Sequence, residues 1–557
     1  MNHNAVQRPN ILWISTHDIN PHLGCYAGVY PHAEYARATN LDRLAAEGAR
    51  YDNAIATAPV CGPSRSAIIT GMYPTAIGTM HMRTKAVPPP EVRPIPEYLR
   101  AAGYYCTNNA FTDYQFHTPV TVFDDFGPQA HWRNSPDPDQ PFFAMFHGMV
   151  THGSQIYVDD ERFAKNISRL APEERHDPDT APVPPNYPDT AVFRQAVARY
   201  NDLITAMDYW AGDILQQLEE DGLSDNTLVI FWSDHGRGFP REKRWPYEAG
   251  LRVPLIARWP GKIAPGTARK ELVCMMDLAA TTLAAAGLPL PAYMHARPIF
   301  DAQGTPSTQP RQYVFSHRDR MGETEDTVRT VRDGRFRYLR NYHPDRPYMQ
   351  HQEYGDRNAS TWQELRHLRF KEADRLNMGL VPNLLTPAQR HFMNTTKPEE
   401  ELYDLLADPH ETNNLASDPA YAADLQRLRE ALDRWEEEYP DLGMIPEAEL
   451  LQRWRPDGEF SKTEKPDVKI EAGMVTATCE TEGAAIGWTA VPPKPAQESA
   501  NDPFTGFGKV VGNPEVDGRS WQLYTGPFEA VNGRTLWFRA HRIGYLASKD
   551  VALHVRT

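Results

Sequence analysis

Short, wholly apolar runs alternate with longer stretches of helical spacing through roughly the first 310 residues. Ile11-Leu-Trp-Ile-Ser15, Pro141-Phe-Phe-Ala-Met-Phe146 and Thr227-Leu-Val-Ile-Phe-Trp232 read as central strands, each followed by polar loop residues. Ala196 to Leu218 reads as a long amphipathic helix between the last two. Thr39-Asn40-Leu41-Asp42 has the spacing of a capping box, and Leu41, Leu44 and Ala45 continue it as a helix stopped by Gly48. This alternation predicts an α/β fold, a large and mostly parallel sheet flanked by helices on both faces. In such sheets the chemistry gathers at the carboxyl ends of the strands.

The pattern changes after residue 310. Thr327 to Asn341 reads as a strand pair turning at Asp333-Gly334, and two helical stretches follow, the last from Tyr421 to Glu438. We read 311–460 as a smaller α+β subdomain. From 461 to 557 short alternating strands dominate, among them Met474 to Glu480 and Thr535 to His541, with a Pro/Gly-rich loop from Pro492 to Gly518. This last unit is expected to be a β-sandwich appendage, with 1–310 as the catalytic unit.

Composition narrows the function. The 557 residues carry 58 Lys plus Arg against 73 Asp plus Glu, a formal charge of −15, and 41% are apolar. That is ample for a core and excludes wholesale disorder. The acidic balance argues against sequence-independent nucleic-acid binding, which needs phosphate neutralisation. It leaves room for a basic cleft around a small anion. No run is long and apolar enough to span a membrane. The polar start, Met1 to Asn10, has no apolar segment of signal-peptide type, so a cytoplasmic protein is expected. Cys25, Cys61, Cys106, Cys274 and Cys479 are odd in number and never spaced C-x-x-C, so neither a disulfide framework nor a structural zinc is indicated.

Cys61-Gly-Pro-Ser-Arg65 precedes the helical run Ala67-Ile-Ile-Thr70, closed by Gly71. Pro63 suits the first turn of a helix. Cys61 then sits at the helix's positive end, with Arg65 one turn along on the same face. Taken alone, this arrangement could mean a thiolate nucleophile, but a small buried Cys beside a solvent-facing Arg is the favoured reading.

Cys-Gly-Pro-Ser-Arg with Thr70-Gly71 at fixed spacing resembles the signature of the formylglycine-dependent sulfatases of the alkaline phosphatase superfamily. Trp13 to Tyr26, Phe231 to Gly236 and Leu251 to Gly261 resemble further blocks of that family, in its order, over about residues 8–450. The resemblance implies that a separate maturation enzyme oxidises Cys61 to formylglycine. The hydrated aldehyde is then the nucleophile, one hydroxyl attacking sulfur and the other expelling sulfate. It also implies a divalent metal held by Asp18, Asp234, His235 and the nucleophile at Cys61. His17 stands where most relatives have an acid. An imidazole there weakens the case for Ca²⁺ and strengthens Mn²⁺, and whether His17 is itself a ligand stays open. Arg65, Lys243 and His152 match family positions around the transferred group, His152 contacting sulfate or the leaving oxygen as a candidate general acid. Phe111 occupies a position where relatives usually carry lysine.

His81 and Arg83 are candidate substrate-binding residues. His317-Arg318-Asp319-Arg320 reads as surface charge, or as a selector of the substrate's organic part. The last unit, with Trp521, Tyr524 to Phe528 and Trp537, is similar to the β-sandwich of chitobiase-type glycosidases, its tryptophans more readily core than sugar platform. The expected activity is hydrolysis of a sulfate monoester such as an aryl sulfate. Two alternatives stand: a phosphonate monoester or phosphodiester hydrolase with the same nucleophile, and an inactive carbohydrate-binding protein. A homo-oligomer, dimer or tetramer, is expected.

Overall fold

The computed structural model describes residues 8–493 and 519–556. Among these, nine strands form one large sheet: β1 (Asn10–Thr16), β2 (Ala49–Ile55), β3 (Tyr105–Asn108), β4 (Asp125–Phe126), β5 (Phe142–Gly148), β6 (Thr227–Ser233), β7 (Arg252–Val253), β8 (Leu255–Arg258) and β9 (Thr267–Cys274). Their spatial order is β4-β3-β5-β1-β6-β8-β2-β7, with β9 also paired to β2. The block from β4 to β6 is parallel throughout, and β8 runs antiparallel to both its neighbours.

The three apolar runs are the three central strands, and their alternation builds two cores. Ile11, Trp13, Phe143, Met145, Leu228, Ile230 and Trp232 face one side. Leu12, Ile14, Phe142, Ala144, Phe146, Val229 and Phe231 face the other. The period of two along each strand, with both faces apolar, is what a sheet buried between helix layers requires. Helices Cys61–Thr70 and Asp277–Ala285 cover the first face, and Thr39–Glu47 and the long helix Ala191–Glu220 cover the second. Register places Ser15 opposite both His147 and Trp232, and Thr16 opposite Gly148 and Ser233. The chain therefore leaves β1, β5 and β6 at one edge, carrying His17-Asp18, Met149 to Gly153 and Asp234-His235 to a common place.

The helix at Thr39 is not closed by a capping box. Ala38 is its cap residue, and the carboxylate of Asp208, from the long helix, accepts from the amides of Asn40 (3.0 Å) and Leu41 (2.8 Å). A tertiary cap has replaced the local one, which frees Asp42 to accept from the Cys25 amide at 2.6 Å.

Beyond the large sheet, β10 (Val314–Arg318), β11 (Val328–Arg332), β12 (Phe336–Asn341) and β13 (Glu400–Asp404) form an antiparallel sheet, with the expected turn at Asp333-Gly334. Helices at Glu353–Asn358, Ser360–Asn377 and Pro387–Phe392 add to Ala422–Glu438, more than the two stretches expected. Two small sheets from Asp467 to His554 enclose Val475, Ile486, Leu536 and Phe538. Trp521 is buried under the guanidiniums of Arg519 and Arg539, as a core residue. The loop expected from Pro492 to Gly518 lies almost wholly outside the described residues. All five cysteines are free thiols. Among the described residues no helix is long and apolar enough to cross a membrane.

Candidate active site

Cys61 is the first residue of its helix, after an extended Val60, and Gly71 ends the helix in the left-handed conformation. The whole segment from Cys61 to Thr70 is buried. Gly62 is required by contact, since a Cβ there would lie 1.3 Å from Nε2 of Gln115. At the strand edge Asp18 takes a positive φ of 53°, which turns its carboxylate back over the sheet.

These side chains converge. One ligand atom from each of His17, Asp18, Cys61 and Asp234 lies within 4.8 Å of the others, and all four residues are buried. His235 closes the group, with Nε2 at 3.2 Å from the Cys61 sulfur and 3.3 Å from Asp18 Oδ1. Its Nδ1 faces the carbonyl oxygen of Gly236 at 2.8 Å and so carries the ring proton. Nε2 is then an acceptor, open to the Cys61 thiol, and Asp18 Oδ1 has no hydrogen-bond partner. An unpartnered carboxylate oxygen in a dry site is what a cation satisfies. The donor set of two carboxylates, imidazole and Cys61 fits a divalent ion.

Lys243 reaches in from the loop after β6. Its Nζ is 2.7 Å from Asp18 Oδ2, 3.4 Å from His152 Nε2 and 3.8 Å from the Cys61 sulfur. Burial opposes its charge, but Asp18 dominates and holds the ammonium above the ordinary lysine range. Burial likewise opposes ionisation of Asp18, and Lys243 and His152 outweigh it and keep the carboxylate below its usual range. Lys243 can only donate, so His152 Nε2 accepts from it at 3.4 Å, and His152 Nδ1 lies 2.8 Å from the Ser154 hydroxyl. Burial and then Lys243 push His152 down to about 3, so at neutral pH it is a neutral imidazole. Lys243 and His152 thus stand together beside the nucleophile position.

Burial pushes the Cys61 thiol well above its ordinary value, with Asp234, Asp18 and Asp113 adding to the shift against Lys243. The helix end does not make this cysteine a thiolate.

Arg65 is buried, turned toward Asp234 and away from the open cavity. Its Nε donates to Asp234 Oδ2 at 2.9 Å, and its other nitrogens meet His17 at 3.1 Å and His147 at 3.4 Å. The guanidinium lies 4.7 Å from the centroid of the Phe111 ring. Phe111 also meets the His17 ring edge-on at 4.7 Å, so its ring packs against both Arg65 and His17.

A cavity of about 240 Å³ opens above Cys61. Phe111, Asp113, Arg83, His152, Lys243 and Arg244 line it near the nucleophile, and Trp245, Tyr157, Gln352, Tyr354 and Trp362 form its outer wall. Arg83 is among the lining residues. His81 is not among the lining residues and packs with its Nδ1 3.3 Å from the Arg320 amide. His317, Arg318 and Asp319 are neither surface charge nor cavity wall. They are buried, with Asp319 paired to His317 (2.8 Å) and Arg329 (3.1 Å).

Sequence reasoning passed over His147, Arg244 and the 352–362 segment. His147 had a signal: it continues the inward alternation of Phe143 and Met145 toward the strand end. Its Nδ1 lies 2.5 Å from Ser15 Oγ.

A model of the sulfatase family matches residues 9–288, and a model for the C-terminal region of N-sulphoglucosamine sulphohydrolase matches 237–357. An ulvan-active sulfatase of Formosa agariphila is 37% identical, over 98% of this chain and 91% of its own. N-acetylgalactosamine-6-sulfatase of Homo sapiens is 30% identical over 52% of this chain and 64% of its own. Among solved structures, BT4656 in complex with its substrate D-glucosamine-2-N,6-O-disulfate aligns at a TM-score of 0.54 and 19% identity, covering 78% of this chain and 98% of that one. The phosphonate monoester hydrolase of Silicibacter pomeroyi aligns equally, at 0.54 and 18% identity, over 85% and 99%. At such identities the structural likeness is one of fold, shared by both chemistries. The family match spans half the chain and the Formosa relative nearly all of it: this chain belongs to the sulfatase family and is a sulfuric-ester hydrolase.

Proposed function

We propose that the enzyme hydrolyses sulfate monoesters with a formylglycine made from Cys61, and that it needs one divalent metal. The observation that carries the reading is Cys61 itself. It is a buried, protonated thiol at a helix start, 3.2 Å from His235 Nε2 and 3.8 Å from Lys243 Nζ. A thiol held in that state is a poor nucleophile, and the machinery around it suits an oxygen in its place.

Asp18, Asp234, His235 and the residue at 61 would hold the metal, with His17 at its edge. The ion would supply Lewis-acid charge and lower the pKa of a bound oxygen. The chain's own residues do the rest. Lys243 donates to sulfate oxygens from one side of the residue at 61, with His152 beside it. His152 is positioned to hydrogen-bond the leaving oxygen. Arg65 is a positioning residue: its bond to Asp234 Oδ2 fixes the carboxylate that carries Oδ1 toward the His235 and Asp18 amides (3.0 and 3.3 Å). The aromatic outer wall excludes water and offers faces to a ring.

The relatives act, by their names, on ulvan and on a sulfated N-acetylgalactosamine. A sulfated carbohydrate is therefore the substrate class we favour over a simple aryl sulfate. A formylglycine-generating enzyme is the implied partner, and a cytoplasmic location and a homo-oligomer remain part of this reading. The test is the mass of the Cys61 peptide after expression with and without such a maturation enzyme. Activity rising in proportion to the aldehyde form supports the reading, and full activity with an unmodified thiol overturns it.

A further inference from the structure

The cationic side chains at the site divide into two pairs. Lys243 is bound to Asp18 at 2.7 Å and Arg65 to Asp234 at 2.9 Å, so each already faces a carboxylate. Arg83 and Arg244 line the same cavity, and neither forms an ion pair with a carboxylate among the described residues. Arg244 hydrogen-bonds to neutral groups: Nη1 donates to the carbonyl oxygen of Met321 at 3.1 Å, and the amide of Gln352 packs against the guanidinium. Burial and then Arg318 push Arg244 down to about 10 against the opposing charge of Glu323, which still leaves it a cation at neutral pH.

Arg244 is part-buried and Arg83 exposed, and the planar fork of a guanidinium matches a two-oxygen anion. Asp113 is the acidic side chain in this lining, and burial pushes its carboxyl up. The lining sets two guanidiniums against Asp113, with Glu323 acting on Arg244 from outside it. The scissile sulfate does not account for both arginines, because Lys243, on the same loop as Arg244, already stands at the nucleophile. Beside Arg244 stand Trp245 and Trp362, ring centroids 5.6 Å apart, with Tyr354 next to them in the wall. A sugar ring laid on that wall would carry a substituent to the arginines.

We propose that Arg83 and Arg244 form a second anion subsite, taking a carboxylate or a second sulfate on the carbohydrate that bears the scissile ester. This rests on the sulfate-ester reading above and adds to it a requirement for a doubly anionic substrate.

The test compares kcat/KM on three matched sulfated disaccharides, one with no further charge, one with a carboxylate and one with a second sulfate. Wild type should prefer one or both doubly anionic forms, and which one assigns the anion. In Arg244→Gln and Arg83→Gln the preference ratio should fall about 10- to 100-fold, mostly through KM, the scale of a lost hydrogen bond to a charged group. Wild type without any preference overturns the subsite, as does a ratio unchanged in both variants. Should Arg244→Gln fail to fold, competitive inhibition of wild type decides. A carboxylated sugar lacking the scissile sulfate must inhibit more strongly than its neutral counterpart, and equal inhibition overturns the proposal. Hydrolysis of none of the three, nor of an aryl sulfate, by matured enzyme would instead fail the sulfate-ester reading itself.

Discussion

Lys243 Nζ and Asp18 Oδ2 stand 2.7 Å apart, the carboxylate fully buried and the lysine side chain 16% exposed, and the same ammonium is 3.8 Å from the Cys61 sulfur. One cation therefore serves two ends: it neutralises a carboxylate that would otherwise be costly to bury, and it aims two remaining protons at the place where sulfate must sit. Removing it should damage both. For Lys243→Ala we expect kcat/KM on an aryl sulfate to fall by about 100- to 1,000-fold, the usual scale for a lost oxyanion donor. The melting temperature should change as well, because Asp18 loses its neutralising partner. A loss under threefold would mean that Lys243 does not touch the reacting group.

Metal choice should depend on His17. Its ring packs between Phe111 and Arg65, with Nδ1 3.3 Å from Asp234 Oδ2. An oxygen at that position favours a hard ion and an imidazole a borderline one. Chelator treatment should abolish activity. In His17→Asp the ratio of activity restored by Ca²⁺ to that restored by Mn²⁺ should rise about tenfold, in the range reported for changes next to a metal. An unchanged ratio would show that His17 does not set the preference.

Gly62 and Gln115 should be energetically coupled. A methyl at 62 meets the Gln115 amide at 1.3 Å, and Gln115 Oε1 in turn accepts from the Arg83 amide. Gly62→Ala should cost about 1–3 kcal/mol by overpacking. Gly62→Ala combined with Gln115→Ala should be less destabilising than the two single losses added together, as read by urea unfolding. Strict additivity would contradict the contact.

Acid should weaken the C-terminal sheets through His541. This ring is buried, with Nε2 2.9 Å from the Tyr545 carbonyl oxygen, and burial lowers its pKa to about 4 from an ordinary 6.5. Between those values the unfolded chain binds a proton that the folded chain refuses, so stability falls as pH drops from 6.5 toward 4. The contribution is on the order of 3 kcal/mol. His541→Gln should flatten that part of the melting-temperature profile, and an identical slope would rule this group out.

The central strands were legible because Ile11, Phe143 and Leu228 begin runs that only a doubly covered sheet can bury. Of the candidate site, the sequence blocks at the strand ends hold Asp18, Asp234, His235 and Cys61, side chains that lie close together. What the sequence hid depends on distant partners. Thr39 has a capping spacing, but Asp208 arrives from 169 residues away (208 − 39) to cap the helix instead. His317 and Asp319 look like surface charge in a string of basic residues. They are buried with Arg329, which meets Asp319 from another element and is itself held by Asp441. Arg244 sits between Lys243 and Trp245 with no local mark of its role, which appears only when the 352–362 segment closes the cavity over it.

The most direct test of the central claim is kcat/KM for an aryl sulfate with matured wild type and with Cys61→Ala, both shown to be folded. The account predicts a loss of more than about 1,000-fold in the variant, since the nucleophilic oxygen originates at residue 61. Sulfate hydrolysis that persists in Cys61→Ala at near wild-type rate would contradict it.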